Sequence, residues 1–268
     1  MIDDNTAPRP TPVAVRVGEL CYGLYAWASF AVLLTVGILG VLVLPGLHRR
    51  RRWISAVARA WFAVAGIRVE RQGFDRIPDR HCIVVANHAS YLDGVILQAF
   101  LPPRFSFVIK GEMNSVPVAG LLLRRIGSHF VERFAVGASA RDALRLLRAA
   151  AAGQSLAFFP EGTFHPQPGL HPFRPGAFAA AAKARLPVVP LAIRGSRLIL
   201  PARRRLPRPA RLELHVAEPI MPGDPAFASS ATLADAARRR MLAVLGEPDL
   251  AAGPPAPAAL DFADSGLN

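Results

Sequence analysis

A long stretch without charge is the feature that most constrains how this chain folds. Residues 21–47 contain no Asp, Glu, Lys or Arg. A helix of about 20 apolar residues crosses the hydrocarbon core of a bilayer, and this stretch is longer than that. A signal peptide is the alternative, but its apolar region is shorter and ends at a cleavage site between small residues, which this stretch lacks. The sequence therefore predicts a helix that belongs in a membrane.

A basic cluster follows the apolar stretch. His48 precedes four consecutive arginines, residues 49–52. Such clusters stay on the cytoplasmic face and attract anionic lipid headgroups, so we expect the rest of the chain on the cytoplasmic side of the cytoplasmic membrane. Residues 53–69 indicate a second helix against or partly in the membrane, after a bend at Pro45-Gly46. We therefore predict a membrane-associated segment of two helices over residues 20–70.

The overall charge indicates an anionic partner. The chain has 32 Lys and Arg against 19 acidic residues, a formal charge of +13. Phospholipid, an acyl carrier, coenzyme A and nucleic acid all have the required charge. The two cysteines, Cys21 and Cys82, have neither disulfide nor metal spacing, so we expect no structural zinc site. At 52% hydrophobic residues the chain can bury a substantial core.

From about residue 71 short apolar runs alternate with helical patterns. This alternation predicts an α/β fold, with a mainly parallel sheet flanked by helices. The strand candidates are residues 82–86, 105–109, 155–159, 188–193 and 212–216. The helix candidates are residues 92–100, 138–152, 177–184 and 233–245. We predict one domain over residues 71–246, between flexible tails at residues 1–19 and 247–268.

The first of two unusual polar motifs follows the strand candidate that ends at Ala86. It reads Asn-His-Ala-Ser-Tyr-Leu-Asp, and its His88 and Asp93 are five positions apart. Five residues of a helix differ by about 140° in direction, so His88 must lie in a turn before the helix if the two side chains meet. Ser90 and Asp93 have the spacing of a capping box, which predicts a helix that begins at Tyr91.

The spacing alone leaves two interpretations of this motif open. Asp93 can be only a helix cap and His88 only a polar loop residue, because short His-to-Asp spacings are common by chance. In the functional interpretation, a carboxylate at a helix N-terminus bonds one imidazole nitrogen and leaves the other free to accept a proton. His88 is then a general base for a hydroxyl, oriented by Asp93.

The second motif, Phe-Phe-Pro-Glu-Gly-Thr over residues 158–163, ends another apolar run. Its turn carries one acid, Glu161, and one hydroxyl, Thr163, and Gly162 permits close approach to the backbone. Glu161 can also be a plain solvated turn residue. That alternative weakens because both motifs lie where predicted strands end, the place where reactive groups of parallel sheets collect.

Together these motifs resemble the glycerolipid acyltransferase family, and most closely its bacterial 1-acylglycerol-3-phosphate acyltransferases. The resemblance extends from Gly73 to Ser196, through Asn-His-x-x-x-x-Asp, Phe-Pro-Glu-Gly-Thr and a later Val-Val-Pro-Leu that contains Pro190. It implies an acyltransferase domain that moves a fatty acyl group from acyl-CoA or acyl-carrier protein to a lysolipid hydroxyl. His88 matches the family's catalytic base and Asp93 the carboxylate that orients it, with no acyl-enzyme and no cofactor besides the acyl donor.

The resemblance also implies residues that bind substrate. Glu161, Gly162 and Thr163 belong to the second motif. Arg133, at the end of Gly-Ser-His-Phe-Val-Glu-Arg, matches an arginine that binds the acceptor, and Lys110 holds the position of a lysine found in the family.

One residue departs from the family pattern. Phe164 stands where the family usually has an arginine that helps bind the acceptor phosphate. Phenylalanine offers apolar surface in place of a charged bidentate fork. Either Arg174 restores the charge from the same loop, or the acceptor is an uncharged or amino-acid-derived lipid.

The remaining polar residues suggest less specific roles. His165 and His171 match no common metal pair, so we expect no metal. Residues 194–211 contain seven arginines, and form either a patch for lipid or acyl-carrier protein or a solvated basic loop.

Two other classes of function fit parts of the sequence. A lipid or thioester hydrolase would use the same His88 and Asp93 to activate water. A non-catalytic basic module for membrane or nucleic acid would explain the charge, but neither the His-Asp pair nor Glu161. We therefore expect no nucleic-acid partner.

Overall fold

Seven strands form one sheet in the computed structural model, which describes residues 13–131 and 138–251. The strands are β1 (Val69–Gln72), β2 (Ile83–Ala86), β3 (Phe105–Lys110), β4 (His129–Val131), β5 (Ser155–Phe158), β6 (Val188–Arg194) and β7 (Leu212–Val216). The helices of the described residues are α1 (Val13–Val43), α2 (Leu47–Val64), α3 (Asp93–Phe100), α4 (Pro117–Arg125), α5 (Ala138–Ala151), α6 (Gly176–Ala184), α7 (Ser196–Ile199) and α8 (Ser230–Leu245).

The sheet is parallel except at one pair. Its order is β1-β7-β6-β2-β5-β3-β4, and only β6 and β7 run antiparallel. β2 lies in the middle, where its four residues are fully buried, as expected for a parallel strand covered on both faces. The predicted α/β fold with a mainly parallel sheet is confirmed.

Helices cover both faces of the sheet, so the domain has three layers. Val84 and Ala86 of β2 contribute to a core with α2 and α3. Ile83 and Val85 point the other way, into a core built with α5, α6 and α8. The alternation follows from the period of two in a strand.

The two N-terminal helices form a hairpin that packs on the domain. Gly46, with a φ of 77°, lies at the bend between them, as the sequence predicts. A Cβ atom on Gly40 would lie 2.0 Å from Trp53 Nε1, so α1 and α2 approach closely only because this position has no side chain. At the other end of the pair, the Tyr22 hydroxyl donates to the carbonyl of Ala65 at 2.9 Å.

The outer face of α1 is apolar and exposed. Residues Val15–Val43 are long and apolar enough to cross a membrane, by length and composition, and 17% of their most apolar window is buried inside the protein. The large exposed side chains of this face include Val17, Leu20, Leu24, Val32, Val36 and Leu39.

Arg51 shows that the basic cluster is not wholly a surface feature. Its side chain is buried, 7% exposed, although the sequence suggests a headgroup-binding arginine. Its guanidinium donates to the carbonyls of Ile126, Arg104 and Gly127 and to the hydroxyl of Ser106, at 2.5 to 3.3 Å. Arg51 therefore fastens α2 to β3 and to the turn after α4.

Several boundaries differ from those predicted. α2 begins at Leu47, six residues earlier than expected, and ends at Val64 because the chain turns at Gly66, whose φ is 69°. Val69 belongs to the edge strand β1, which pairs with β7. Sequence patterns also miss β4 and α7, which have only three and four residues, and the nine-residue α4.

Described residues within both spans predicted as tails contact the domain. α1 already begins at Val13, and Glu19 accepts hydrogen bonds from Arg204 at 2.8 Å and Arg208 at 3.0 Å. At the other end, Glu247 pairs with Arg197 at 3.2 Å and Asp249 pairs with Arg238. Residues 1–12 and 252–268 lie outside the described residues.

The arginine-rich stretch 194–211 is held against the domain. Besides the ion pairs of Arg197, Arg204 and Arg208, the Trp27 indole donates to the carbonyl of Arg205 at 2.7 Å. Because these arginines bind acidic side chains of the same chain, the stretch is not a wholly solvated loop. This stretch, which links β6 to β7, is thereby held against α1.

We predict that Arg51→Ala lowers the free energy of unfolding by about 3 kcal/mol, because buried acceptors lose their donor. Thermal or denaturant unfolding of the purified protein in detergent measures this. Arg52→Ala, at the exposed neighbouring position, is the matched control and should change stability little. Equal effects of the two substitutions would contradict the anchoring role of Arg51.

Candidate active site

The two polar motifs meet because their strands are neighbours. β2 and β5 pair in parallel, with Val85 opposite Phe158. Their carboxyl ends therefore lie at the same edge of the sheet, and the residues that follow them converge there. His88 comes after β2 and Glu161 after β5. The Glu161 carboxylate accepts a hydrogen bond from the backbone N–H of His88 at 2.7 Å.

The imidazole of His88 contacts the carboxylate of Asp93. Nδ1 and Oδ2 are 2.8 Å apart, and Asp93 is fully buried. The same Oδ2 accepts from the backbone N–H groups of Ala89 at 2.6 Å and Ser90 at 2.8 Å. An acceptor at Nδ1 places the proton of the neutral ring on that nitrogen. Nε2 makes no hydrogen bond to any described residue and is the nitrogen that can accept a proton.

The capping geometry differs in detail from the predicted one. Asp93 does reach back to the N–H of Ser90, but the Ser90 hydroxyl accepts from Leu92 at 3.1 Å. The helix accordingly begins at Asp93, two residues after Tyr91. The Ser90 hydroxyl also donates to the carbonyl of Leu200 at 2.7 Å, which joins this turn to the arginine-rich stretch.

Asn87 holds the turn from the other side, a role that the sequence does not reveal. Its side-chain amide donates to the carbonyl of Ile193 at 3.0 Å, and its side-chain oxygen accepts from the N–H of Ile193 at 2.6 Å. Ile193 lies on β6, the second neighbour of β2. The turn that carries His88 is thus fixed to both adjacent strands.

Aromatic rings cover the imidazole. Phe159 stacks on His88 with ring centroids 4.2 Å apart, and Phe164 lies at 4.7 Å and a tilted angle. Tyr91 meets the edge of Phe164 at 4.7 Å. The His88 side chain is 18% exposed as a result. Phe164 is therefore part of the apolar surround of the His88 imidazole, at the position where the family usually has an arginine.

Other predicted substrate-binding residues lie at the same edge. Gly162 has a φ of 83°, and a Cβ atom there would lie 2.5 Å from Nε of Arg174, so glycine allows the arginine to cross this turn. Thr163 is exposed beside it. Lys110 ends β3 and pairs with Glu112 at 2.8 Å. Arg133 lies outside the described residues.

The described residues contain no group of three or more His, Cys, Asp or Glu that could hold a metal ion. His165 and His171 do lie together, with ring centroids 4.2 Å apart.

Comparison with known proteins places the chain beside acyltransferases. An acyltransferase family model matches residues 68–194, the span that holds both motifs. The chain is similar to the glycerolipid acyltransferase family. It is 31% identical to the chloroplastic 1-acyl-sn-glycerol-3-phosphate acyltransferase of Brassica napus over 205 residues, which are 74% of this chain and 59% of that protein.

Relatives of the family differ in the acceptor for which they are named. The lyso-ornithine lipid O-acyltransferase of Pseudomonas aeruginosa is 32% identical over 64% of this chain and 62% of that protein. The chain thus spans about 59 to 62% of these two relatives. The crystal structure of the 1-acyl-sn-glycerophosphate acyltransferase of Thermotoga maritima shares the fold, with a TM-score of 0.72 over 84% of this chain and 94% of that one, at 23% identity.

We predict that Asn87→Asp lowers the free energy of unfolding by about 2 to 4 kcal/mol, because it buries a carboxylate facing the carbonyl of Ile193. The measurement is denaturant unfolding. Asn114→Asp is the control, since Asn114 is exposed and its side-chain oxygen already accepts from Arg124 at 2.7 Å. A loss no larger than that of the control would contradict the part assigned to Asn87.

Proposed function

We propose that this protein is a membrane-attached O-acyltransferase that moves a fatty acyl group from an acyl thioester to a lysolipid hydroxyl. The observation that carries the proposal is the pairing of His88 Nδ1 with the buried Asp93, 2.8 Å apart, at the carboxyl end of the central strand. The geometry gives a base whose free nitrogen can take a proton from an alcohol.

The chemistry proceeds by direct transfer. Nε2 of His88 takes the hydroxyl proton as the acceptor oxygen attacks the thioester carbonyl, and Asp93 stabilises the resulting imidazolium. The tetrahedral intermediate then collapses, the carbon–sulfur bond breaks, and the leaving thiolate receives the proton from His88. Ester and thiol are the products, so atoms and charge balance.

The residues near the base support a mechanism without an acyl-enzyme. The hydroxyl of Ser90 donates to a backbone carbonyl and so is not activated as a nucleophile. Burial raises the pKa of the Cys82 thiol to about 11, and a thiol in that state is a poor nucleophile near neutral pH. Cys82 also precedes β2, at the opposite edge of the sheet from His88.

The apolar surround of His88 favours transfer over hydrolysis. Phe159 and Phe164 lie against the imidazole and limit the room for water beside it. A lipid hydroxyl can bring its own apolar body to such a surface, which makes a hydrolase the weaker alternative.

The hairpin of α1 and α2 is the proposed membrane attachment. The exposed apolar face of α1 suits lipid, and exposed Arg49 and Arg52 at the start of α2 would meet anionic headgroups on the cytoplasmic side. The catalytic domain would then lie at the cytoplasmic surface of the membrane, where a lysolipid presents its hydroxyl.

The substrates are proposed as classes. The acyl donor is acyl-CoA or acyl-carrier protein, both anionic, and no nucleic acid is involved. The relatives are named for two different acceptors, a lysoglycerophosphate and a lyso-ornithine lipid, and Phe164 with Arg174 nearby is compatible with either. The proposed acceptor is accordingly a lysolipid hydroxyl, and Lys110, Arg133, Thr163 and Arg174 are the polar groups proposed to bind it.

We predict that His88→Ala lowers kcat for acyl transfer by about 10²- to 10⁴-fold, since the alcohol loses its base. Asp93→Asn should also lower it by about 10²-fold or more, because the amide no longer fixes the tautomer. Labelled acyl thioester and a panel of lysolipids give the rates. His81→Ala, at an exposed histidine before β2, is the control. Full transfer by a folded, membrane-bound His88→Ala protein would refute the mechanism.

We predict that Phe164→Ala raises the ratio of thioester hydrolysis to acyl transfer several-fold, because water gains access to His88. Phe164→Leu keeps an apolar cover and should leave the ratio near that of the unaltered protein. Thiol release with and without lysolipid measures both rates. An unchanged ratio in Phe164→Ala would show that the ring does not exclude water.

A further inference from the structure

Two buried carboxylates bind the backbone of the turn that carries the base. The N–H groups of His88, Ala89 and Ser90 are consecutive, and each donates to a carboxylate oxygen. Asp93 accepts the last two. Glu161, which follows β5, accepts the first with Oε1 at 2.7 Å.

The second oxygen of Glu161 is also engaged. Oε2 accepts from the backbone N–H of His171 at 2.9 Å, and the residue is 6% exposed. The Glu161 carboxylate therefore links the backbone of the His88 turn to the backbone of the loop between β5 and α6. This arrangement differs from the substrate-binding role that the motif suggests for Glu161, because each oxygen is already bonded to the protein.

We propose that Glu161 is a positioning residue for acyl transfer, whose ionised carboxylate holds the His88 turn against the loop at His171. The hydroxyl oxygen of a protonated carboxyl is a much weaker acceptor than a carboxylate oxygen, so protonation weakens one of the two bonds. This inference rests on the proposed function, because its test measures acyl transfer. Glu161 would act through His88 and not through a contact with substrate.

The surroundings place the ionisation of this carboxyl near neutral pH. Burial raises the pKa of Glu161 to about 7, against the lowering effect of the N–H groups of His171 and His88. The charge of Asp93 on α3 adds to the rise, and Arg238 on α8 opposes it. The Arg238 guanidinium donates to the carbonyls of Leu170 and His171 and to the carboxylate of Asp249. Its effect on Glu161 is therefore that of a nearby charge and not of a hydrogen bond.

Loss of the Glu161 charge should lower the activity as pH decreases. His88 acts as a base only when deprotonated, which alone gives a plot of log(kcat/KM) against pH an acid limb with a slope of about one. If Glu161 must also be ionised, activity falls faster as pH decreases and the slope approaches about two. Glutamine in place of Glu161 keeps one acceptor oxygen and removes the second titration.

The experiment compares pH profiles of the full chain and Glu161→Gln, with acyl-CoA and a lysolipid as substrates. We expect kcat of the variant to fall by about 10- to 100-fold, as a displaced base loses alignment. KM for both substrates should stay within about twofold, because no substrate contact is removed. The acid limb should be steeper than about one in the unaltered protein and about one in the variant. Glu218→Gln, at an exposed glutamate, should match the unaltered protein.

Three results would overturn the proposal. A raised KM for the lysolipid with kcat unchanged would make Glu161 a substrate ligand. An acid limb with a slope of about one in the unaltered protein would show that its ionisation is not required, a result that needs no variant to fold. If His88→Ala abolishes transfer while Glu161→Gln is unaffected, only this inference fails. If the unaltered protein acylates no lysolipid, the proposed function itself fails.

Discussion

The bonds of the Asp93 carboxylate are the interaction on which the rest of the site depends. A fully buried carboxylate is costly unless donors replace its water. Here one oxygen accepts from the His88 imidazole and from the N–H groups of Ala89 and Ser90. Because these donors lie on one turn, Oδ2 of Asp93 gains all three only if the chain reverses tightly between β2 and α3. That reversal is what brings the imidazole to the carboxylate.

The parallel sheet then determines what surrounds this turn. β2 lies between β5 and β6, and each neighbour contributes one polar connection, Glu161 after β5 and Ile193 on β6 through Asn87. Phe159 and Phe164 lie in the same loop as Glu161, after β5, and cover the imidazole. The proposed base, the carboxylate that contacts it and an apolar surround thus follow from the order of three strands. The hairpin is fastened to the same domain through Arg51, so the apolar face of α1 has a fixed relation to the site.

Sequence patterns anticipate the features that depend on local chemistry. The central strands are continuous apolar runs, and the turn-helix geometry follows from the spacing of His88, Ser90 and Asp93. They miss features that depend on distant neighbours. β1 and β4 are short and partly exposed, so no apolar run marks them. Arg51 sits among arginines, and only the fold reveals that it is buried.

The same limit applies to the polar network around His88. Nothing in the sequence indicates that Asn87 bonds β6 or that Glu161 bonds two backbone N–H groups, because both partners are remote in the chain. Phe164 is visible as a departure from a family pattern, yet its contact with His88 appears only in three dimensions. Boundaries shift for a simpler reason: Gly66 ends α2 before the apolar pattern does.

The most direct test of the account follows the acyl group. Purified protein receives a labelled acyl thioester and a mixed pool of lysolipids, and mass spectrometry identifies every labelled product. The account predicts label in an ester of a lysolipid, with thiol release that depends on the presence of that lysolipid. Label recovered as free fatty acid, with thiol released equally fast without any lysolipid, would contradict it.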